Sequence, residues 1–205
     1  MPRGTTKRRP ITVAALLDAA FELFAEQGYG ATSIADIAAR AGLTKGAFYS
    51  NFDSKDALFL ALFDQQWRER VTRLRQTLPM GAALLRAVED GTLLHSADPE
   101  ADRRWLLIST EFSLHAIRNP EVARTLVEHE KRGRAALAEL IEQALRSIDR
   151  KPAIPPAELT RMVVAVAEGA QIQALTEQAA HGTTEPHADS AMISTLIDHL
   201  TVPTR

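Results

Sequence analysis

Ser33-Ile34-Ala35-Asp36-Ile37-Ala38-Ala39-Arg40-Ala41-Gly42-Leu43-Thr44-Lys45-Gly46-Ala47-Phe48-Tyr49-Ser50 sets two short helical patterns on either side of one glycine. Ser33 and Asp36 have the spacing of a capping box, in which a hydroxyl and a carboxylate satisfy the free amides of a helix start. Ile34, Ile37 and Ala38 form the buried stripe of that helix, and Gly42 suits the left-handed residue that closes it. Thr44 caps a second helix that runs to about Ser50. Two short helices joined by so tight a turn have the helix-turn-helix arrangement, in which the second helix can enter a DNA major groove. Ala38 and Ala41 let the helices cross closely, Leu43 anchors the turn, and Gly46 and Ala47 keep the leading edge slim. A B-DNA major groove, about 12 Å wide, admits a helix only if the approaching face is not bulky. On spacing alone the pattern equally suits an αα-hairpin that only packs.

Working outward, Leu16, Ala20, Leu23 and Phe24 recur at helical spacing and predict a first helix over about 12–27, ended by Gly28-Tyr29-Gly30. Asp53 or Ser54 opens a fourth helix carrying Leu58, Leu62 and Phe63 to about residue 75. Proline is absent between Pro10 and Pro79 and then marks boundaries at 99, 120, 152, 155, 156, 186 and 203. Asp98-Pro99-Glu100 and Asn119-Pro120-Glu121 read as helix starts, each with a capping side chain, proline and an acid near the positive end. Further helices are expected at roughly 81–96, 100–118, 121–149, 157–180 and 188–200. No alternating β-branched run is bounded by turn signals, so strands are not expected. The chain is all-α: a three-helix head over 1–55 with a basic N-terminal arm, and a helical body over 56–205.

The 205 residues are 45% hydrophobic and 24% charged, which excludes wholesale disorder. Cysteine is absent, removing disulfide frameworks, thiolate zinc sites, iron–sulfur clusters and cysteine nucleophiles. No apolar run approaches the ~20 residues of a membrane helix. Met1–Arg9 is basic but no apolar run follows it, so the expectation is a soluble, cytoplasmic protein without a secretory signal. Net charge is −2, yet residues 1–55 hold seven basic side chains against five acids, three of them adjoining at Lys7-Arg8-Arg9. His129-Glu130 begins like a zinc-protease motif, but Gly133 stands where the second histidine belongs. The six histidines show no metal-ligand spacing beyond a weak His181/His187 pair, and nucleophile-elbow, Walker and dinucleotide fingerprints are absent. No metal, cofactor or catalytic residue is expected.

Ile37 through Leu58 closely resembles the DNA-binding signature of the tetracycline-repressor (TetR/AcrR) family of bacterial transcription regulators. Ala20, Leu23-Phe24, Gly28 and Thr32-Ser33 extend the resemblance over about residues 11–60, with Leu43 where valine is usual and Asn51 where histidine is frequent. The resemblance implies that Thr44, Lys45, Gly46 and Ala47 face the groove, with Lys45 donating to guanine O6/N7. It implies that Tyr49, Asn51, and Thr32 or Ser33 donate to phosphates, with Lys55 adding charge at the start of the fourth helix. Lys7, Arg8 and Arg9 would follow the backbone or minor groove, and Phe48 and Phe52 would anchor the recognition helix in the core.

The resemblance further implies a homodimer, for which two apolar helix faces are the candidate surfaces, with burial inside the monomer as the alternative. One carries Leu159, Met162, Val163, Val166, Ala167, Ala170 and Ala174, and the other Ile193, Leu196, Ile197 and Leu200. The family pattern implies an effector pocket among Phe63, Gln66, Trp67, Trp105, Ser109, Phe112, His115 and Gln171. The expected function is a ligand-responsive repressor, released from a palindromic operator by a small hydrophobic effector. The competing readings are an activator or global DNA binder of the same fold and, in a different class, a helical scaffold or enzyme that binds no DNA.

Overall fold

A computed structural model describes residues 8–77, 98–182 and 188–204. The first helix, α1, runs Arg8–Gln27, four residues earlier than the periodicity suggests. Pro10 sits in its first turn, where the missing amide proton would have had no acceptor. Leu16, Ala20, Leu23 and Phe24 are buried along one stripe, each worth about 1.5–3 kcal/mol where the side chain is large. Helices α2 (Ile34–Arg40) and α3 (Lys45–Tyr49) follow. Then α4 covers Lys55–Thr77, opened by Ser54, whose Oγ accepts from the Ala57 amide at 3.0 Å. The Asp98 carboxylate accepts from the amides of Glu100 and Ala101 at 3.0 and 3.2 Å and starts α5, Pro99–Arg118. Asn119 behaves differently from its counterpart: its Nδ2 turns back onto the His115 carbonyl at 2.7 Å, closing α5 before α6 (Pro120–Arg146) begins. The chain continues through α7 (Pro156–His181) and α8 (Ala188–Leu200). The helix expected at 81–96 lies outside the described residues. No helix among the described residues is long and apolar enough to cross a membrane.

The expectation of no strands needs one correction. Arg150–Pro152 (β1) pairs antiparallel with Thr201–Pro203 (β2), with Lys151 opposite Val202. Three residues are too few for alternation to register in a sequence, and this ladder owes its existence to neighbours far along the chain. The Arg150 guanidinium donates to Thr201 Oγ1 at 2.6 Å and to its carbonyl at 2.9 Å, while the Ala153 amide reaches the Leu200 carbonyl. Helix α6 stops at Arg146, three residues short of the expectation, and Asp149 follows at φ 56°.

The described residues pack as two compact units: those up to Gln66 with Leu107–His129, and those of 67–77 and 98–106 with those from Glu130 onward. The first unit is built on aromatics. Phe59 and Phe112 stack with centroids 3.6 Å apart, and Tyr29 meets Phe112 edge-on at 5.0 Å. The second unit is aliphatic, with Leu74, Leu137, Ile141, Leu145, Leu159, Val163, Ile193 and Ile197 buried together.

Candidate nucleic-acid interface

The two short helices are held by local bonds that their residues make unavoidable. Ser33 is extended, its Oγ accepts from the Asp36 amide at 3.2 Å, and the Asp36 carboxylate accepts from the Ser33 amide at 3.0 Å, so the capping box is complete. The Ser33 hydroxyl also donates to that carboxylate at 2.6 Å, and this bond, then the amide's, holds the Asp36 carboxyl below its usual range, with Lys45 nearby adding to the effect. Gly42 adopts φ +66°, which lets its amide reach the Ala39 carbonyl and the Leu43 amide reach that of Ala38 at 2.8 Å. Thr44 then caps α3, its Oγ1 accepting from the Ala47 amide at 3.2 Å. Phe48 is fully buried and Phe52 packs 5.9 Å from it, which fixes the roll of α3. Thr44, Lys45 and Gly46 face solvent with Tyr49, which is 56% exposed. The outward edge of α3 is therefore slim at its start, cationic at Lys45 and capable of hydrogen bonding at Thr44 and Tyr49. Such an edge is shaped for a major groove.

Other expected phosphate donors are engaged within the fold. Thr32 is 1% exposed, and its hydroxyl donates to the Gly28 carbonyl at 2.8 Å while accepting from Gln27 Nε2. Of the Thr32/Ser33 pair only Ser33 lies at the surface. Asn51 is half-buried, and its Nδ2 donates to the Ala47 carbonyl at 2.8 Å, completing the end of α3. The Lys55 ammonium donates to the carbonyls of Tyr29 and Thr32 at 2.6 and 2.7 Å and lies 4.3 Å from the Tyr29 ring centre. Burial pushes this lysine's pKa down, with Asp56 opposing. Its place at the start of α4 matches the expectation, but its commitment to the turn after α1 leaves no trace in the sequence.

Two further residues make contacts that the sequence expectation did not include. Arg40 joins Glu22 and Glu26 at 3.0 and 2.7 Å, tying the end of α2 to α1. Tyr29 is 4% exposed, and its phenol donates to Asp56; burial, then that carboxylate, raises its pKa far above the ordinary tyrosine value. The signal for Tyr29 was its place between two glycines, which says turn and nothing about partners.

The remaining expected residues are distributed as follows. Lys7 lies outside the described residues, Arg8 opens α1, and Arg9 is exposed in the first helical turn. Among the pocket candidates, Phe63, Gln66, Ser109, Phe112 and His115 belong to the first unit and Trp67, Trp105 and Gln171 to the second. Phe112 is fully buried and Phe63 nearly so, as first-unit core. A first-unit cavity of about 460 Å³ lies between Tyr29, Lys55 and Asp56 on one side and Glu111, His115 and Arg118 on the other, and of the eight candidates it touches only His115. On α7 and α8, Leu159, Val163, Ala170, Ile193 and Ile197 are buried within the chain itself. Met162 is 42% exposed, while Val166, Ala174, Leu196 and Leu200 are half-buried.

Residues 16–62 match the family model for bacterial regulatory proteins of the tetR family, and residues 85–201 match that for the BetI-type transcriptional repressor C-terminal region. The chain is 38% identical over 101 residues to the HTH-type transcriptional repressor Rv3405c of Mycobacterium tuberculosis, covering 44% of this chain and 52% of that one. It is 29% identical over 157 residues to the HTH-type transcriptional regulator UidR of Escherichia coli K12, covering 76% and 75%. The chain thus spans about half the length of the mycobacterial relative, and 20% of YuxN from Bacillus subtilis. A TetR transcription regulator from Haloarcula marismortui shares the fold, with TM-score 0.69, 18% identity, and coverage of 94% of this chain and all of that one.

Proposed function

The chain belongs to the TetR family of bacterial regulatory proteins, and on that premise we propose that it is a cytoplasmic repressor, released from a palindromic operator by a small hydrophobic effector. The observation that carries the proposal is the capped, slim and cationic outward edge of α3, anchored from behind by a fully buried Phe48. Residues 1–55 supply the surface that meets DNA, and residues 56–205 the effector and dimer functions. Lys45 reads a base, Tyr49 and Ser33 hold phosphates, Asn51 and Lys55 contribute only the protons their internal bonds leave over, and the Lys7–Arg9 run adds charge along the backbone.

A single head covers too few base pairs to select one site, so two chains meet through α7 and α8, presenting recognition helices about 34–36 Å apart. Met162, Val166, Leu196 and Leu200 retain exposed area for that purpose. Trp67 and Trp105, the chain's only tryptophans, mark the effector region of the second unit. Effector and operator then bind antagonistically, and each weakens the other by the same factor, typically about 5–150-fold.

Selection of duplexes from a random pool with the full chain, followed by titration of the winner and a scrambled copy, tests the reading. A two-fold symmetric winner, bound at least about a thousandfold more tightly than the scrambled copy, is the expected result. A reporter carrying the winner between promoter and gene separates the signs: expression falls for a repressor and rises for an activator. No preference among duplexes leaves the scaffold reading. A small-molecule screen followed by operator release for each hit tests the effector.

A further inference from the structure

Residues 107–129 of α5 and α6 pack in the same compact unit as the helix-turn-helix, and Tyr29 is where the two meet. Its ring lies 5.2 Å from Phe24 and 5.0 Å from Phe112, its phenol donates to Asp56, and its carbonyl accepts from Lys55. Gly28 closes α1 with its amide on the Phe24 carbonyl, and the next amide, that of Tyr29, is not spent on any of the free carbonyls that end the helix. That amide donates instead to Oε2 of Glu111, from α5, at 2.7 Å across 82 residues of sequence. Gly28, at φ +85°, makes room for the carboxylate: a Cβ there would stand 2.8 Å from the same oxygen. Four residues after Tyr29 comes Ser33, the cap of α2, and α2 in turn carries the turn into α3.

We propose that Glu111 is a positioning residue for operator binding: from α5 its carboxylate holds the Tyr29 amide and so fixes the turn that aims α2 and α3. This rests on the DNA-binding reading above. The Glu111 bond is charge-assisted and made by an exposed side chain, so it restrains the turn without adding to the buried core. Its sign is diagnostic. A negative charge near a DNA-binding head repels phosphate, so removing Glu111 strengthens binding if only charge matters. A residue that matters only for folding leaves the affinity of the folded protein unchanged. A positioning residue, when removed, weakens specific binding in spite of the charge gained.

The test uses the full chain as wild type, Glu111→Gln and Glu111→Ala, titrated on the selected operator and its scrambled copy at several salt concentrations, well below the lowest Tm. Glu111→Ala is expected to lose about tenfold on the operator and little on the scrambled duplex, the scale of one hydrogen bond to a charged group. Its salt slope stays that of wild type, because Glu111 touches no phosphate. Glu111→Gln keeps an acceptor and stays within about twofold of wild type. Affinity for the operator that is unchanged or higher in Glu111→Ala, or lost equally on both duplexes, overturns the proposal. Should Glu111→Ala not fold, Glu111→Asp, which keeps the charge but falls one methylene short, is expected to show the same specific loss, and wild-type affinity in it overturns the proposal. Amide exchange at Tyr29 without DNA is expected to quicken in Glu111→Ala, and an unchanged rate overturns the contact itself. A wild-type chain with no preference among duplexes overturns the DNA-binding reading instead.

Discussion

Lys45 and Tyr49 lie on the same exposed edge of α3, four residues apart and so on one face of the helix, yet their chemistry separates their effects. A lysine that donates to one guanine specifies a position, so Lys45→Ala should lose about 1–3 kcal/mol of discrimination at one base pair per half-site. A phenol that donates to phosphate specifies nothing, so Tyr49→Phe should weaken binding evenly on every sequence. Titrating each variant on the operator and on single-base variants checks this, and identical profiles would refute the division of roles. Tyr29 titrates rather than binds. Its folded pKa stands above its ordinary value near 10, so the fold prefers the protonated phenol. The stability it supplies is complete below about pH 10 and drains as pH rises beyond it, by up to about 1.4 kcal/mol per pH unit. Lys55, shifted downward, gains stability over the approach to its ordinary value, but it is present in both chains compared. Urea midpoints from pH 8 to 11 should therefore fall more steeply for wild type than for Tyr29→Phe, and parallel curves would contradict the assignment.

Helix α2 is only seven residues long, too short to stand on propensity, so its capping box matters more than it would in a long helix. Ser33→Ala removes the acceptor of the Asp36 amide and should cost about 0.5–2 kcal/mol by chemical denaturation. A change below about 0.3 kcal/mol would mean that tertiary contacts alone hold α2. Helix α6 shows the opposite economy, where a missing side chain matters. A Cβ at Gly133 would stand 2.5 Å from Trp67 Cδ2 and 2.7 Å from Cγ, so the bare position lets the indole lie directly on the helix backbone. The Arg70 guanidinium lies 5.7 Å from that ring. Gly133→Ala gains about 1 kcal/mol in helix propensity and loses about 1–3 kcal/mol to overpacking. The expected outcome is a lower Tm with a shift in tryptophan emission, and an unchanged spectrum would show that the indole has room to spare.

At the scale of the whole molecule, the apolar faces of α7 and α8 would serve two uses in the proposed dimer. Leu159, Val163, Ile193 and Ile197 are buried inside the chain and hold the second unit together. Met162 and Met192, 42% and 48% exposed, lie beside half-buried Val166 and Leu196, and this apolar surface is where the proposed second chain would pack. Paired carboxylates at Val166→Glu and Leu196→Glu would face their like across a two-fold axis, at half-buried positions of which Val166 also touches the second unit's core. The double variant should scatter light as a monomer at micromolar concentration with its helical circular dichroism retained. Operator affinity should collapse, because the second half-site no longer binds at high effective concentration. A monomeric wild type would sink this expectation outright.

The helix-turn-helix was legible residue by residue. Ser33 with Asp36, Gly42, Thr44 and the buried pair Ile37 and Ala38 act over a few residues, and interactions of that range leave their spacing in the sequence, whereas Ile34, expected in the same buried stripe, is only half-buried. Ser54 and Asp98 opened helices for the same reason. Asn119 offered the same signal as Asp98, yet its amide closes α5, because a capping side chain has acceptors within reach on both sides and only the packed corner selects one. What the tertiary structure alone decided was which distant groups meet. The Glu111 carboxylate reaches the Tyr29 amide over 82 residues, Arg150 reaches Thr201 over 51, and Lys55 turns toward the carbonyls of Tyr29 and Thr32. Each of these is a strong polar group whose partner is set by how helices stack, and no periodicity records that. Local hydrogen bonds write themselves into sequence spacing, whereas a bond between helices or strands far apart in sequence exists only once their apolar faces have been buried.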